Sequence, residues 1–126
     1  MANEAIVTNN APAAIGPYSA AIKSGNVISV SGQLPIDPAT GEFAGDDITS
    51  QTRQSLTNVK SVLEAAGATM ANVAQATVLL DSIADFGAMN EVYGEFFSAP
   101  YPARAAFEVA ALPKGAKVEI EVVAYL

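Results

Sequence analysis

The chain contains no histidine and no cysteine. Without histidine, Ser-His-Asp and Cys-His catalysis are excluded, and so is an ordinary zinc site, because the remaining candidate ligands are hard carboxylate oxygens. Without cysteine there are no disulfides, no thiolate nucleophiles and no thiolate metal sites, which agrees with a reducing compartment. General acid or base work must fall to Glu, Asp, Lys, Tyr or water.

Charge is also scarce. Charged residues make up 15% of the sequence, against roughly a quarter in ordinary soluble domains. Six are basic and thirteen acidic, a net charge of −7. Such a surface repels a phosphate backbone, and no basic stripe is interleaved with aromatics, so nucleic acid is not an expected partner. No apolar run approaches the roughly 18 residues that span a bilayer, and the opening MANEAIVTNN lacks the basic and apolar regions of a signal peptide. These absences predict a cytoplasmic protein with no membrane partner.

What the chain does have is apolar side chains, 51% of its 126 residues. That length predicts a single domain over 1–126 with a real core. The excess of apolar residues over charged ones predicts surface hidden by self-association.

Hydrophobic periodicity sets the element order. EAIV (4–7), SAAIKS (19–24) and NVISVS (26–31) are short β-like runs, the last two joined by Gly25-Asn26 as a tight hairpin. The following QLPIDPATGEFAGDD is rich in Pro, Gly and Asp and reads as one long irregular connection. From Ile48, the residues Thr52, Leu56, Val59, Leu63 and Ala66 recur at steps of three and four, predicting a helix capped by Asp47 and ended by Gly67. VAQATVLLD (73–81) predicts a central strand covered on both faces.

Ser82 and Asp85 then predict a capping box for a second helix, which buries Phe86, Met89, Tyr93 and Phe96 or Phe97 as core and stops before Pro100. Two final strands, 103–109 and 116–125, are linked by LPKGA. The order β-β-β-α-β-α-β-β predicts an α+β fold, a mixed six-stranded sheet with two helices packed on one face. Asp46-Asp47 read as helix caps rather than metal ligands, and Gly41 to Gly45 lacks the lysine and spacing of a phosphate loop. No metal or nucleotide site is predicted.

Alternation in the last strand puts Val118, Ile120, Val122 and Ala124 on one face and Glu119, Glu121, Val123 and Tyr125 on the other. In the strand before it, Arg104 shares a face with Ala106 and Glu108, opposite Ala103, Ala105, Phe107 and Val109. If the fully apolar faces meet the helices, Arg104 and Glu119 share the helix-free face, in a cleft partly desolvated by another subunit. Glu121, two residues on, is a rival to Glu119. Tyr18, Ser31-Gly32 and Asn90 each have ordinary structural readings, as packing anchor, turn and solvated helix face.

The segment Pro102-Ala103-Arg104-Ala105-Ala106-Phe107, followed by Ala110, Leu112-Pro113 and Val118-Glu119-Ile120, resembles the signature of the Rid family of reactive intermediate deaminases, also called YjgF-like proteins. NAPAAIGPYS (10–19), SGQLPIDPATGE (31–42), QTRQSLTNVKSVLEAAG (51–67) and NEVYGEFF (90–97) are similar to that family in order and spacing, most like its archetypal RidA branch.

The resemblance implies a chorismate-mutase-like fold and a homotrimer with clefts between subunits. The implied reaction is cofactor-independent hydrolysis of 2-imino acids such as 2-iminobutanoate and 2-iminopropanoate to 2-oxo acids and ammonia. It implies Arg104 as the clamp on the substrate carboxylate and Glu119 as the group that positions water. Tyr18, Ser31, Gly32 and Asn90 are the other implied cleft residues, and the backbone amide of Ala106 is an implied donor. Many relatives carry Ser or Thr, then Cys or Thr, where this chain has Ala105 and Ala106, and SAPY before Pro102 is shorter than in some of them. The alternative function is a small-ligand binding or regulatory trimer that holds 2-oxo acids without turnover.

Overall fold

The computed structural model describes residues 2–126. Three strands, β1 (Glu4–Ile6), β2 (Ala21–Ser24) and β3 (Val27–Gln33), precede helix α1 (Ile48–Ala65). Strand β4 (Val73–Leu80), helix α2 (Phe86–Phe96), and strands β5 (Ala103–Glu108) and β6 (Val118–Tyr125) follow. The strands form one sheet in the order β1-β2-β3-β6-β4-β5. Only β4 and β5 pair in parallel, because α2 carries the chain back between them; every other pair is antiparallel. The fold is therefore α+β, with a mixed six-stranded sheet.

Local chemistry places the ends of α1. Asp47 accepts a hydrogen bond from the Ser50 backbone N–H at 2.9 Å. At the other end Gly67 adopts φ +86°, and the amides of Gly67 and Ala68 bond back to the carbonyls of Glu64 and Leu63, closing the helix in a Schellman motif. The side chains expected to form the buried stripe do so: Thr52, Leu56, Val59 and Leu63 are fully buried and Ala66 nearly so. They share one core with Val118, Ile120, Val122 and Ala124 of β6, Ile28 and Val30 of β3, and Ala76, Val78 and Leu80 of β4.

Four expectations are corrected. Ser82 caps only the short turn Ile83–Asp85, and Asp85 makes no side-chain cap bond to α2; the Ile83 amide of that turn donates to Glu108 from β5, at 2.9 Å. Strand β4 is flanked by β6 and β5 but covered on one face only, leaving Gln75 exposed and Thr77 and Leu79 half-buried. The 34–47 connection is less irregular than its composition implies. It folds back through an Ile36–Phe43 bridge and is held by the buried Asn58, which donates to the Leu34 and Ile36 carbonyls at 3.1 and 2.9 Å.

Glu119 and Glu121 do lie on the open face, opposite Leu79 and Thr77. Arg104 does not: it pairs with the buried Ala76, and Ala106 with the buried Val78, so both belong to the helix-covered face. The apolar row Ala103, Ala105 and Phe107 is the one left open, with Phe107 46% exposed. Alternation gave the two faces of β5 correctly but their assignment was inverted. At the sheet edge the uncovered face is the more apolar one, and the long Arg104 stem carries its guanidinium out to the Phe86 and Tyr93 rings of α2.

Candidate active site

The functional candidates fall into two groups on opposite sides of the sheet. The first surrounds Glu119. Strand β3 does not end at Ser31-Gly32 as its turn-like composition predicts. Its pairing passes from Val30↔Val122 to Gln33↔Ile120, so Ser31 and Gly32 together oppose the single residue Glu121 in a β-bulge, and the ladder then resumes. The bulge is pinned by the Ser31 amide to the Ala20 carbonyl at 2.9 Å, by the Ser31 hydroxyl to the Ser19 carbonyl at 2.6 Å, and by the Gln33 side chain to the Ser31 carbonyl at 3.1 Å.

Gly32 leaves room here for the Glu119 side chain. A Cβ at this position would run into the carboxylate of Glu119, with Glu119 Cδ only 2.8 Å away. Tyr18, Ser31, Gly32, Lys114, Glu119 and Glu121 all line one cavity of about 530 Å3, whose remaining wall is largely apolar. Burial pushes the Glu119 carboxyl above its ordinary pKa, and the neighbouring Glu121 charge pushes the same way. Arg104, on the other face, does not oppose that shift. Lys114 enters the lining from the turn Pro113–Gly115 with φ 58°, a left-handed conformation that is uncommon for a residue with a side chain.

The second group surrounds Arg104. Its Nη1 donates to Asn90 Oδ1 at 2.6 Å, and its guanidinium carbon lies 4.7 Å from the centre of the Tyr93 ring and 5.4 Å from that of Phe86. Asn90, Tyr93, Gly94, Tyr101, Pro102 and Arg104 line a cavity of about 410 Å3. Burial raises the Tyr93 phenol pKa, opposed by the Arg104 charge. Asn90 is exposed on α2, as expected of a solvated helix face, and the long Arg104 side chain reaches it from β5.

The structure thus brings Tyr18, Ser31 and Gly32 together with Glu119, and Asn90 together with Arg104. It does not bring the two groups together within one chain. Ala106 lines neither cavity; its side chain packs against the core. Sequence reasoning missed Phe86, Tyr93 and Lys114 as site residues. The two aromatics belong to the apolar stripe of α2, where spacing alone predicts core, and nothing local marks Lys114 as facing a cavity.

The architecture is an α+β sheet with a carboxylate-lined cavity on one face and an arginine-lined cavity on the other. Among the described residues no group of three or more carboxylates forms a candidate metal site, and no helix is long and apolar enough to cross a membrane. The family model described as Endoribonuclease L-PSP matches residues 8–126. A RutC family protein of Sinorhizobium fredii is 57% identical over 120 residues, covering 95% of each chain. The 2-iminobutanoate/2-iminopropanoate deaminase of Capra hircus is 51% identical over 94% of this chain and 87% of its own. The crystal structure of RidA from an Antarctic Psychrobacter superposes with a TM-score of 0.94 at 46% identity, covering 98% of this chain and 99% of that one. The chain belongs to the Endoribonuclease L-PSP family, the group of YjgF-like and Rid proteins.

Proposed function

We propose that this protein is a hydrolytic deaminase of 2-imino acids and their enamine tautomers, releasing 2-oxo acids and ammonia. The observation that carries the reading is the presentation of Arg104: one N–H is committed to Asn90 and the rest of the planar fork faces a cavity. A carboxylate is the group such a fork binds bidentately. Glu119 supplies the second requirement. A carboxylate whose proton affinity is raised by burial and by Glu121 is suited to take a proton from water and later return it.

The reaction needs little else. The protonated imine carbon is already electrophilic. Water adds to it, losing a proton to Glu119, and a C–O bond forms as the C=N π electrons pass to nitrogen. The proton returns to nitrogen; the carbinolamine hydroxyl then gives its own proton to Glu119, its oxygen electrons form the carbonyl of the 2-oxo acid, the C–N bond breaks, and ammonia leaves with that proton as ammonium. No cofactor enters the balance, and the main contribution of the protein is orientation and charge placement.

Because the two groups lie on opposite faces of one sheet, a four-carbon substrate cannot sit against both in a single chain. The reading therefore includes a homotrimer in which Arg104 of one subunit faces the Glu119 cavity of another. The exposed Tyr18, Tyr101 and Phe107 are the apolar surface such contacts would cover. The test is ammonia release from enamine generated in place by a threonine dehydratase. Acceleration by the wild type and its loss in Arg104→Lys, which keeps the charge but not the fork, support the reading. If 2-oxobutanoate binds but enamine loss is not accelerated, the protein is a binding trimer and the catalytic assignment fails.

A further inference from the structure

We infer that Tyr93 and Phe86 are positioning residues for the Arg104 guanidinium, forming an aromatic cradle that sets the affinity of the site for carboxylates. The inference rests on the reading of Arg104 as the carboxylate clamp. It adds residues that neither sequence spacing nor that reading assigns.

Arg104 is an exposed side chain at the end of an edge strand, where a long flexible stem has many rotamers. Two contacts of different kinds restrict it. The Asn90 amide oxygen accepts from Nη1 at 2.6 Å, which fixes rotation of the fork in its own plane. The rings of Tyr93 and Phe86, at 4.7 and 5.4 Å, are within the range of cation–π attraction. Cation–π contacts use no N–H as a hydrogen-bond donor to a ring oxygen or nitrogen, so the N–H groups not given to Asn90 stay available to a carboxylate.

The cradle is anchored in the core. Tyr93 is 5% exposed and its ring stacks on the buried Phe97 at 4.6 Å with a 35° tilt. The phenol oxygen of Tyr93 is buried without a hydrogen-bond partner, so the part of Tyr93 that touches Arg104 productively is its ring. Phe97, Tyr93 and Arg104 therefore form a continuous stack from the interior to the cavity, with Phe86 as a further ring against the guanidinium.

The experiment measures the dissociation constant for 2-oxobutanoate by calorimetry and the turnover of dehydratase-generated enamine, for Tyr93→Leu, Tyr93→Phe, Phe86→Leu and Arg104→Ala. In Tyr93→Leu and Phe86→Leu, binding is expected to weaken about tenfold, as loss of a partly desolvated cation–π contact implies, while the rate at saturating enamine changes much less. Tyr93→Phe restores most of the binding lost in Tyr93→Leu. If Tyr93→Leu does not fold, Phe86→Leu decides by the same criterion.

Wild-type binding in folded Leu variants, alongside lost binding in Arg104→Ala, overturns the cradle and leaves the clamp standing. Tyr93→Phe binding as weakly as Tyr93→Leu also overturns it, since the hydroxyl would then be the active group. Wild-type binding in Arg104→Ala overturns the clamp itself, and the cradle with it.

Discussion

Arg104 and Glu119 leave the sheet from opposite faces, Arg104 in the row of the buried Ala76 and Glu119 in the row of Leu79 on the open side. The two groups that the proposed imine hydrolysis would use are thus separated by the sheet within one chain. If a neighbouring subunit brings them together, each site takes its arginine and its carboxylate from different copies.

That separation predicts complementation. Arg104→Ala and Glu119→Gln should each be inactive alone, and mixed trimers formed by co-refolding should regain activity at about one site in three, where an intact Arg104 meets an intact Glu119. Light scattering should show three times the monomer mass for the parents and the mixture. A mixture of trimers with no activity above its parents would place both residues of each site in the same chain.

The contact between Gly32 and Glu119 predicts a variant that damages function more than fold. In Gly32→Ala the new Cβ meets the end of the Glu119 side chain rather than backbone, so the carboxylate moves aside and the bulge survives. Melting should change little, whereas turnover should fall by about tenfold to a hundredfold, the scale expected for a misplacement of about 1 Å. A Gly32→Ala enzyme with wild-type turnover would show that the carboxylate need not occupy this position.

The raised Glu119 pKa has a stability consequence with a definite sign. A carboxyl with a folded pKa above its unfolded one favours folding when protonated, and that contribution is lost as pH rises from the ordinary value of 4.5 through the raised one. Glu119→Gln should therefore melt higher than wild type near pH 7 and show no such advantage below pH 4.5. Glu121→Gln removes the second cause of the shift, so the acid limb of the wild-type rate profile should move to lower pH in that variant. pH–Tm curves and pH–rate profiles check both statements.

Asn58 ties the cavity wall to α1. It is fully buried, donates to the Leu34 and Ile36 carbonyls and accepts from Gln54 at 2.8 Å. Asn58→Ala leaves those carbonyls unpaired in the interior and should cost about 2–3 kcal/mol in chemical denaturation. Because Leu34 and Ile36 line the Glu119 cavity, ligand affinity should fall as well. A cost below about 0.5 kcal/mol, the level of an ordinary surface change, would mean that the loop holds its shape without the side chain.

Much of the fold was legible from local signals. The α1 stripe, its Asp47 cap and Gly67 terminus, the Gly25-Asn26 hairpin and the alternation of β6 all rest on interactions within a few residues, so spacing alone reports them. The capping of α2 departs from the expected box because Ser82 caps only the short turn before it, Asp85 makes no side-chain cap bond, and the nearby Ile83 amide is taken by Glu108, distant in sequence. The Ser31-Gly32 bulge escaped for a similar reason: its extra residue is defined only against the partner strand β6.

The sequence by itself determined which chemistries are closed to this protein, where its two helices lie, which faces alternate along each strand, and which residues resemble a family signature. Only the tertiary structure decided which face of β5 the helices cover, and with it that Arg104 looks toward α2 while Glu119 looks away. Alternation fixes relative orientation within a strand, but the choice of buried face depends on what packs above the sheet. At an edge strand whose open face is itself apolar, hydrophobicity does not distinguish the side turned to the core from the side left bare.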